Sequence, residues 1–250
     1  MIGFLFLTYD NIVKEELWEQ YLSNAIHEKK ATIFIHPKHP KEIYQQQFFK
    51  NYIISETRET KWGDFSIIEA QKLLLEEALK NKSITHFIFV SHNSIPIIRF
   101  SYLYKFLLAT GNRSIISYKG VNNKDHCERY DTLTNPIFSR FEFFIQSQWC
   151  ILSREHANIV VEEHRIIKKI FIRSWIPDEH AYINYLIHYK NMNRTIINMC
   201  TTHIKWENNT PKVYAGISNN LIDDLRNSKR FFLRKVRDNT YVDVNYVLHG

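Results

Sequence analysis

The chain opens with Ile2-Gly3-Phe4-Leu5-Phe6-Leu7-Thr8-Tyr9, a continuous apolar run of strand length. Asn11 to Ala25 follows with apolar residues at helical spacing, and Ala31 to His36 returns to β-branched and aromatic residues. A strand, a helix and a second strand in this order form the β-α-β unit of a parallel sheet covered by helices. The opening of the chain therefore predicts an α/β fold.

The same alternation continues along the rest of the chain. Further helices are predicted over 65–79 (with Asp64 as N-cap), 102–108, 155–170, 179–189 and 219–226, and further strands over 86–91, 113–118, 148–152 and 195–200. Residues 119–146 lack periodicity, which is typical of an excursion that builds part of a site. No repeat or linker divides the 250 residues, so we expect one domain over 1–250. Its mostly parallel central sheet would be flanked by helices.

The charge of the chain favours an anionic partner. Lys and Arg number 33 against 26 Asp and Glu, a formal net charge of +7. Nucleic acid, an acidic membrane surface and a nucleotide diphosphate all fit this balance. The basic residues are spread along the chain without a run of five or six, which favours isolated phosphate contacts over a nucleic-acid-binding tail.

Cysteine usage and hydropathy indicate a soluble cytoplasmic protein. Cys127, Cys150 and Cys200 are far apart and in no metal-ligand spacing, as expected of reduced thiols. Residues 1–9 are too short and too interrupted for a signal peptide, and no stretch approaches the roughly 20 apolar residues of a membrane span.

Several motifs that bind phosphates or metals are absent from the sequence. There is no Walker-type loop, no Gly-x-Gly-x-x-Gly and no Gly-x-Ser-x-Gly, and the chain has only six glycines. There is also no Asp-x-Asp pair and no His-x-x-x-His pair beside an acid. We therefore expect no metal and no cofactor, and expect Lys and Arg side chains to hold any phosphate.

Three motifs each allow a structural and a functional interpretation. Pro177-Asp178-Glu179 is an ordinary helix start, or it presents Glu179 as a base that takes a proton from a hydroxyl. The tail from Lys229 to Lys235 is a solvated amphipathic face, or its last two cations neutralise a leaving diphosphate together with Lys212. Trp62 to Ser66 is a capped helix start, or it holds a nucleotide.

As an ordered set, these motifs resemble the core-2/I-branching β-1,6-N-acetylglucosaminyltransferase family (glycosyltransferase family 14), above all its plant branch. The resemblance rests on Trp62-Gly63-x-Phe65-Ser66-x-x-Glu69-Ala70, Phe89 to Ile97, Arg129-Tyr130, Ser147-Gln148-Trp149, Leu152 to Ala157, Pro177-Asp178-Glu179, Lys205-Trp206, Pro211-Lys212 and Phe232-Leu233-Arg234-Lys235. It covers about residues 2–240. The set is specific in its order and spacing, although each motif alone is not.

The resemblance implies a nucleotide-sugar-binding fold of type A, with the nucleotide bound by the N-terminal part and the acceptor side over about 119–250. It also implies an inverting, metal-independent transfer of a sugar from a UDP-sugar to a saccharide hydroxyl. The sugar is expected to be N-acetylglucosamine. Glu179 would be the catalytic base. The roles carried over are donor diphosphate binding by Lys212, Lys235 and Arg234, nucleotide binding by Trp62, Ser66 and His36, and acceptor binding by Arg129, Tyr130, Trp149 and Asp178.

The chain also departs from the family pattern. The family's second strand usually ends in His-x-Asp, whereas His36-Pro37-Lys38 has no acid, and Ser94 stands where the family has an acidic residue. The animal enzymes' anchor and luminal disulfides have no counterpart here, so we expect a soluble enzyme of a microbe or a large virus. A non-catalytic sugar- or nucleotide-binding module on the same fold is the alternative. The sequence does not give the oligomeric state.

Overall fold

The computed structural model describes residues 1–120 and 124–250, with the backbone alone for 124–127. Its strands are β1 (Ile2–Thr8), β2 (Ala31–Pro37), β3 (His86–Ser91), β4 (Ser94–Pro96), β5 (Ser114–Ile115), β6 (Tyr118–Gly120), β7 (Phe144–Gln146), β8 (Ile151–Ser153), β9 (Ile196–Ile197), β10 (Thr202–Ile204), β11 (Trp206–Glu207), β12 (Thr210–Pro211), β13 (Gly216–Ile217), β14 (Phe232–Arg234) and β15 (Tyr241–Val242). Its α-helices are α1 (Glu15–His27), α2 (Pro40–Tyr44), α3 (Ser66–Leu79), α4 (Phe100–Thr110), α5 (Lys124–Asp131), α6 (Arg154–Glu162), α7 (His164–Phe171), α8 (Ala181–Asn184), α9 (Asn219–Asn227) and α10 (Val244–His249).

The central sheet has the strand order β2-β1-β3-β8-β5-β9. β1 pairs with β2 and β3 in parallel, and β5 pairs with β9 in parallel. Only β8 runs against its neighbours β3 and β5. The predicted α/β fold with a mostly parallel central sheet is therefore confirmed.

Helices cover both faces of this sheet. In β1, Leu5 packs into a core shared with α3, α6 and α7, whereas Phe4 and Phe6 pack into a second core with α1 and α4. Side chains alternate between the two faces along a strand, so a strand buried on both faces reads as a continuous apolar run. The opening run of the chain is continuously apolar because β1 is buried on both faces.

A smaller sheet joins the C-terminal part of the chain to the end of β3. Its order is β10-β14-β4, and β14 pairs with β4 in antiparallel register, with Arg234 opposite Ser94. β4 follows β3 after a two-residue turn. Arg234 and Lys235 are thereby carried to the carboxyl end of β3, the edge at which open α/β sheets bind ligands.

Three predicted helices have different bounds or are interrupted. The helix predicted from Asn11 begins at Glu15, because Lys14 is left-handed (φ 57°) and its N–H bonds to Asp238 instead. The predicted helix 155–170 is two helices, since Glu163 (φ −99°, ψ 13°) leaves the helical region. The predicted helix 179–189 is a 3-10 turn, then α8, then π-helical Tyr185–Tyr189, because His180 (φ −160°, ψ −16°) lies outside the helical region.

Three predicted strands are shorter or divided. The strand predicted over 195–200 is only β9, Ile196–Ile197. The strand predicted over 148–152 begins only at Ile151, because Cys150 donates to the Gln148 carbonyl and closes a turn. The strand predicted over 113–118 is divided between β5 in the central sheet and β6, which pairs with β7. Strand propensity indicates extended backbone, but pairing partners decide where a strand ends.

The predicted reduced thiols are confirmed for Cys150 and Cys200, which are free; the side chain of Cys127 lies outside the described residues. The predicted N-cap is wrong by one residue: Phe65 is the N-cap of α3, and Asp64, just before it, accepts the Ser66 N–H at 2.8 Å in a turn that precedes the helix. Among the residues described, no helix is long and apolar enough to cross a membrane.

The turn that follows helix α1 contains a residue that glycine would replace favourably. Lys29 is exposed and left-handed (φ 55°), and the Lys29 and Lys30 N–H groups bond back to the Ile26 and Ala25 carbonyls. This is the Schellman arrangement, in which the left-handed residue is usually glycine. Relief of the Cβ clash exceeds the entropic cost of glycine. We expect Lys29→Gly to raise the free energy of unfolding by roughly 0.5–1 kcal/mol. Urea denaturation checks this, with Lys30→Gly as the control that should not stabilise.

Candidate active site

Glu179 lies in a 3-10 turn, Pro177–Glu179, that follows a strained residue. Ile176 is left-handed (φ 53°), and its N–H donates to the Gly63 carbonyl at 2.9 Å. A β-branched residue with positive φ is a genuine outlier, and such strain gathers at functional sites. The turn is therefore tied to the loop before α3, which fixes the direction in which Glu179 points.

Arg129 holds the Glu179 carboxylate. The Arg129 Nη1 donates to Glu179 Oε2 at 2.9 Å, and the two side chains are 11% and 36% exposed. The guanidinium carbon also lies 5.8 Å from the centre of the Trp175 ring. The predicted base is thus positioned from one side by a charge-assisted hydrogen bond, and a ligand can still reach it from the solvent side.

Asp178 lies behind Glu179 in the interior. It is 5% exposed, and its Oδ1 has no hydrogen-bond partner among the described residues. Burial and then the negative charge of Glu179 raise the pKa of Asp178 to about 7. A side chain this buried does not face the solvent side, where an acceptor would arrive. Its predicted acceptor contact stays a prediction.

Arg234 and Lys235 form a pair of cations beside Glu179. The Arg234 guanidinium lies 4.8 Å from the centre of the Trp149 ring, and its Nε donates to Asn93 Oδ1 at 3.3 Å. Burial lowers the pKa of Arg234 to about 10, and the nearby Glu179 charge raises it in opposition. Burial and then Arg234 lower the pKa of Lys235.

Neither cation of this pair forms an ion pair with a carboxylate in the part of the chain that the structure describes. Their field extends to His92, whose pKa is lowered to about 4 by burial and then by Arg234. Two adjacent, partly desolvated positive charges without an acidic partner are a favourable setting for an anion.

The main chain brings Lys212 beside Lys235. The Lys235 N–H donates to the Lys212 carbonyl at 3.2 Å, and Tyr214 N–H donates to the Lys235 carbonyl at 2.9 Å. The Lys212 ammonium, however, is 3.0 Å from Glu207 Oε1 and lies over the Tyr214 ring. Glu207 belongs to the hairpin β11–β12, whose turn residues Asn208 and Asn209 both have positive φ. To bind a phosphate, the Lys212 ammonium would have to leave the Glu207 carboxylate.

The three residues predicted to contact the nucleotide differ in how they are placed. Trp62 is 72% exposed, whereas the Ser66 hydroxyl accepts the Lys61 N–H at 3.0 Å. His36 is fully buried, and its Nε2 accepts the Arg58 N–H at 3.0 Å. Burial lowers the pKa of His36 to about 4, so the ring is neutral and holds the loop after β2. The nucleotide contacts of all three stay predictions.

Two residues predicted on the acceptor side have partners inside the protein. The Tyr130 hydroxyl donates to the Phe138 carbonyl at 2.6 Å, and its ring packs on Phe143. Trp149 is 7% exposed and lies under Arg234, on the side of the cations. Their roles in acceptor binding stay predictions.

Sequence reasoning assigned no role to two residues at this site. Asn93 orients the Arg234 guanidinium, and Trp175 lies between Arg129 and Trp62. Trp175 stands two residues before Pro177, and this adjacency was the signal available in the sequence. Among the described residues, no three His, Cys, Asp or Glu side chains converge in a way that could hold a metal. A concavity of about 730 Å³ lies elsewhere, between α1, α4 and α10.

A mostly parallel central sheet flanked by helices defines an α/β protein. The model of the Core-2/I-Branching enzyme family matches residues 2–227. The chain belongs to this family of glycosyltransferases. The match includes Glu179 and Lys212 and ends before Arg234 and Lys235.

A curated relative and two solved structures are also similar to the chain. The chain is 25% identical over 240 residues to Glycosyltransferase BC10 of Oryza sativa subsp. japonica, with 84% of this chain and 59% of the relative covered. It therefore spans about three-fifths of the length of that relative. A glycosyltransferase involved in glycosylation of the major capsid of PBCV-1 is 11% identical, with a TM-score of 0.39 and 94% of each chain covered. The 4-diphosphocytidyl-2C-methyl-D-erythritol synthase of Anaerococcus prevotii DSM 20548 is 10% identical, with a TM-score of 0.39 and 78% and 85% covered.

Proposed function

We propose that this protein is an inverting, metal-independent glycosyltransferase that transfers a sugar, with N-acetylglucosamine as the first candidate, from a UDP-sugar to a hydroxyl of a saccharide or glycan. One observation carries the proposal. Glu179, held by Arg129 at 2.9 Å, lies within charge range of Arg234, and neither Arg234 nor its neighbour Lys235 has a carboxylate ion-pair partner among the described residues. The family membership supports the reaction class.

The geometry supports a single displacement. Glu179 takes the proton of the acceptor hydroxyl, whose oxygen attacks the anomeric carbon. The bond between that carbon and the diphosphate oxygen breaks, and UDP leaves with the electron pair. Attack from the face opposite the leaving group inverts the anomeric centre. Arg234 and Lys235 stabilise the charge that develops on the diphosphate, with Lys212 joining them once it leaves Glu207.

Arg129 positions the catalytic base in this scheme. Its hydrogen bond to Oε2 keeps the carboxylate in a fixed position before the acceptor arrives. Oriented groups lower the barrier because less ordering remains to be done at the moment of reaction. Arg129 is therefore a positioning residue for the base.

The alternative is a non-catalytic sugar- or nucleotide-binding module. One observation favours it: the base and one of the cations, Lys212, are engaged in ion pairs with Arg129 and Glu207. Such a module would bind the same ligands without turnover. Release of UDP with a panel of saccharides, or slowly without any acceptor, favours the enzyme.

A thermal-shift screen against nucleotide sugars tests the proposal first, because a ligand that binds the folded state raises the melting temperature. UDP-sugars should raise it, and GDP- and CMP-sugars should raise it less. Ligands that shift the protein then enter an assay of UDP release with saccharide acceptors. Binding without turnover for any acceptor would support the alternative instead.

Metal independence predicts full activity in excess chelator. Side-chain cations at the diphosphate take the part that a divalent ion plays in other enzymes, so removal of free metal should change the rate of transfer by less than about twofold. The measurement compares initial rates with EDTA and with added Mn²⁺ or Mg²⁺. Strict dependence on either ion would contradict this part of the proposal.

A further inference from the structure

Two tryptophans stand exposed next to each other at the entrance to the site. Trp62 is 72% exposed and Trp175 is 57% exposed. Their ring centroids are 6.0 Å apart, and their planes meet at 85°. The two rings form an open corner, with one ring as a floor and the other as a wall.

The backbone holds this corner in place. Gly63 has φ +75°, and a Cβ there would lie 3.0 Å from Trp175 Nε1, so the Trp175 indole packs closely over the glycine. The Ile176 N–H donates to the Gly63 carbonyl and joins the two segments. A large exposed aromatic pair that the protein fixes in this way marks a binding surface.

The corner is connected to the base through Arg129. Trp175 is under Arg129, and Arg129 is bonded to Glu179 at 2.9 Å. Arg234 lies within reach of the Glu179 charge. In an inverting displacement the acceptor and the leaving diphosphate lie on opposite sides of the anomeric carbon, and the base accompanies the acceptor.

We propose that Trp62 and Trp175 form a stacking platform for the pyranose ring of the saccharide acceptor, and that Trp62 contacts the acceptor instead of the nucleotide. The inference rests on the proposed function and deepens it. A pyranose has an apolar face of C–H groups and a polar rim, which match an indole ring that is apolar on its face and carries an N–H. Arg129, at the edge of the platform, can bond to a sugar hydroxyl.

The test combines a binding and a kinetic measurement. Saturation-transfer NMR uses the methyl glycosides of glucose, galactose, mannose and N-acetylglucosamine as probes. At least one should bind the wild-type protein with the strongest saturation on one face of its ring. Trp62→Ala and Trp175→Ala should weaken that binding, and raise the acceptor KM, by about fivefold to tenfold. Trp175→Tyr should retain most of the glycoside binding. UDP affinity, measured by calorimetry, should stay unchanged in all three variants.

Tyr102→Ala is the matched control, because Tyr102 is an exposed aromatic residue on α4, at the opposite face of the sheet. Tyr102→Ala should change neither the glycoside binding nor the acceptor KM. Loss of UDP affinity in Trp62→Ala with unchanged glycoside binding would overturn the inference, as would a wild-type protein that binds none of the four glycosides. Glycoside binding that depends on both tryptophans, in a protein without transfer activity, would support the platform and refute the proposed enzyme.

Discussion

Glu179→Gln is expected to lower kcat for sugar transfer by about 10²- to 10⁴-fold, the usual contribution of a general base. The amide has nearly the same shape as the carboxylate but cannot accept the proton of the acceptor hydroxyl. The side-chain oxygen can still accept the hydrogen bond from Arg129, so the turn should keep its structure. Transfer rates at saturating donor and acceptor measure the effect.

Two controls separate the loss of the base from other effects of the substitution. Glu155→Gln makes the same change at an exposed residue at the start of α6 and should leave kcat unchanged. UDP affinity of Glu179→Gln should stay within about threefold of the wild type, because removing a negative charge near Arg234 has only a modest effect on phosphate binding. A Glu179→Gln protein with wild-type kcat would remove Glu179 as the base.

Much of the fold could be predicted from the sequence because strong periodicity survives tertiary packing. β1, β2, β3 and α3 carry long apolar patterns, and all four occur within a residue or two of the predicted bounds. The breaks at Glu163 and His180 left no such signal. Each break is a single residue whose dihedral angles leave the helical region, and propensity alone does not locate such a residue.

Part of the candidate site could likewise be predicted from the sequence, and part could not. Motif order singled out Glu179 and the Arg234-Lys235 pair, and Arg234 lies within reach of the Glu179 charge. The contact of Arg129 with Glu179 joins residues 50 positions apart, and the Trp149 ring under Arg234 joins residues even further apart. No local pattern encodes contacts of this kind. The burial of His36 likewise depends on the loop that folds back over it.

Lys235→Ala is expected to weaken UDP binding by about 10- to 100-fold, which corresponds to losing one charge-assisted contact with the diphosphate. Because Arg234 remains, binding should be reduced and not abolished. The dependence of affinity on salt should also become shallower, since one positive charge fewer attracts the ligand. Calorimetric titration of UDP at two ionic strengths measures both effects.

Lys105→Ala is the matched control, because Lys105 is an exposed lysine on α4, away from Glu179. It lowers the net charge by the same amount, so any effect common to both variants reflects the overall field of the protein and not a contact. Unchanged UDP affinity in Lys235→Ala would contradict the assignment of this cation to the diphosphate. Lys235 lies beyond residues 2–227, the part that the family model matches. Its test therefore addresses the pair Arg234-Lys235, which lies outside that match and is positioned by the pairing of β14 with β4.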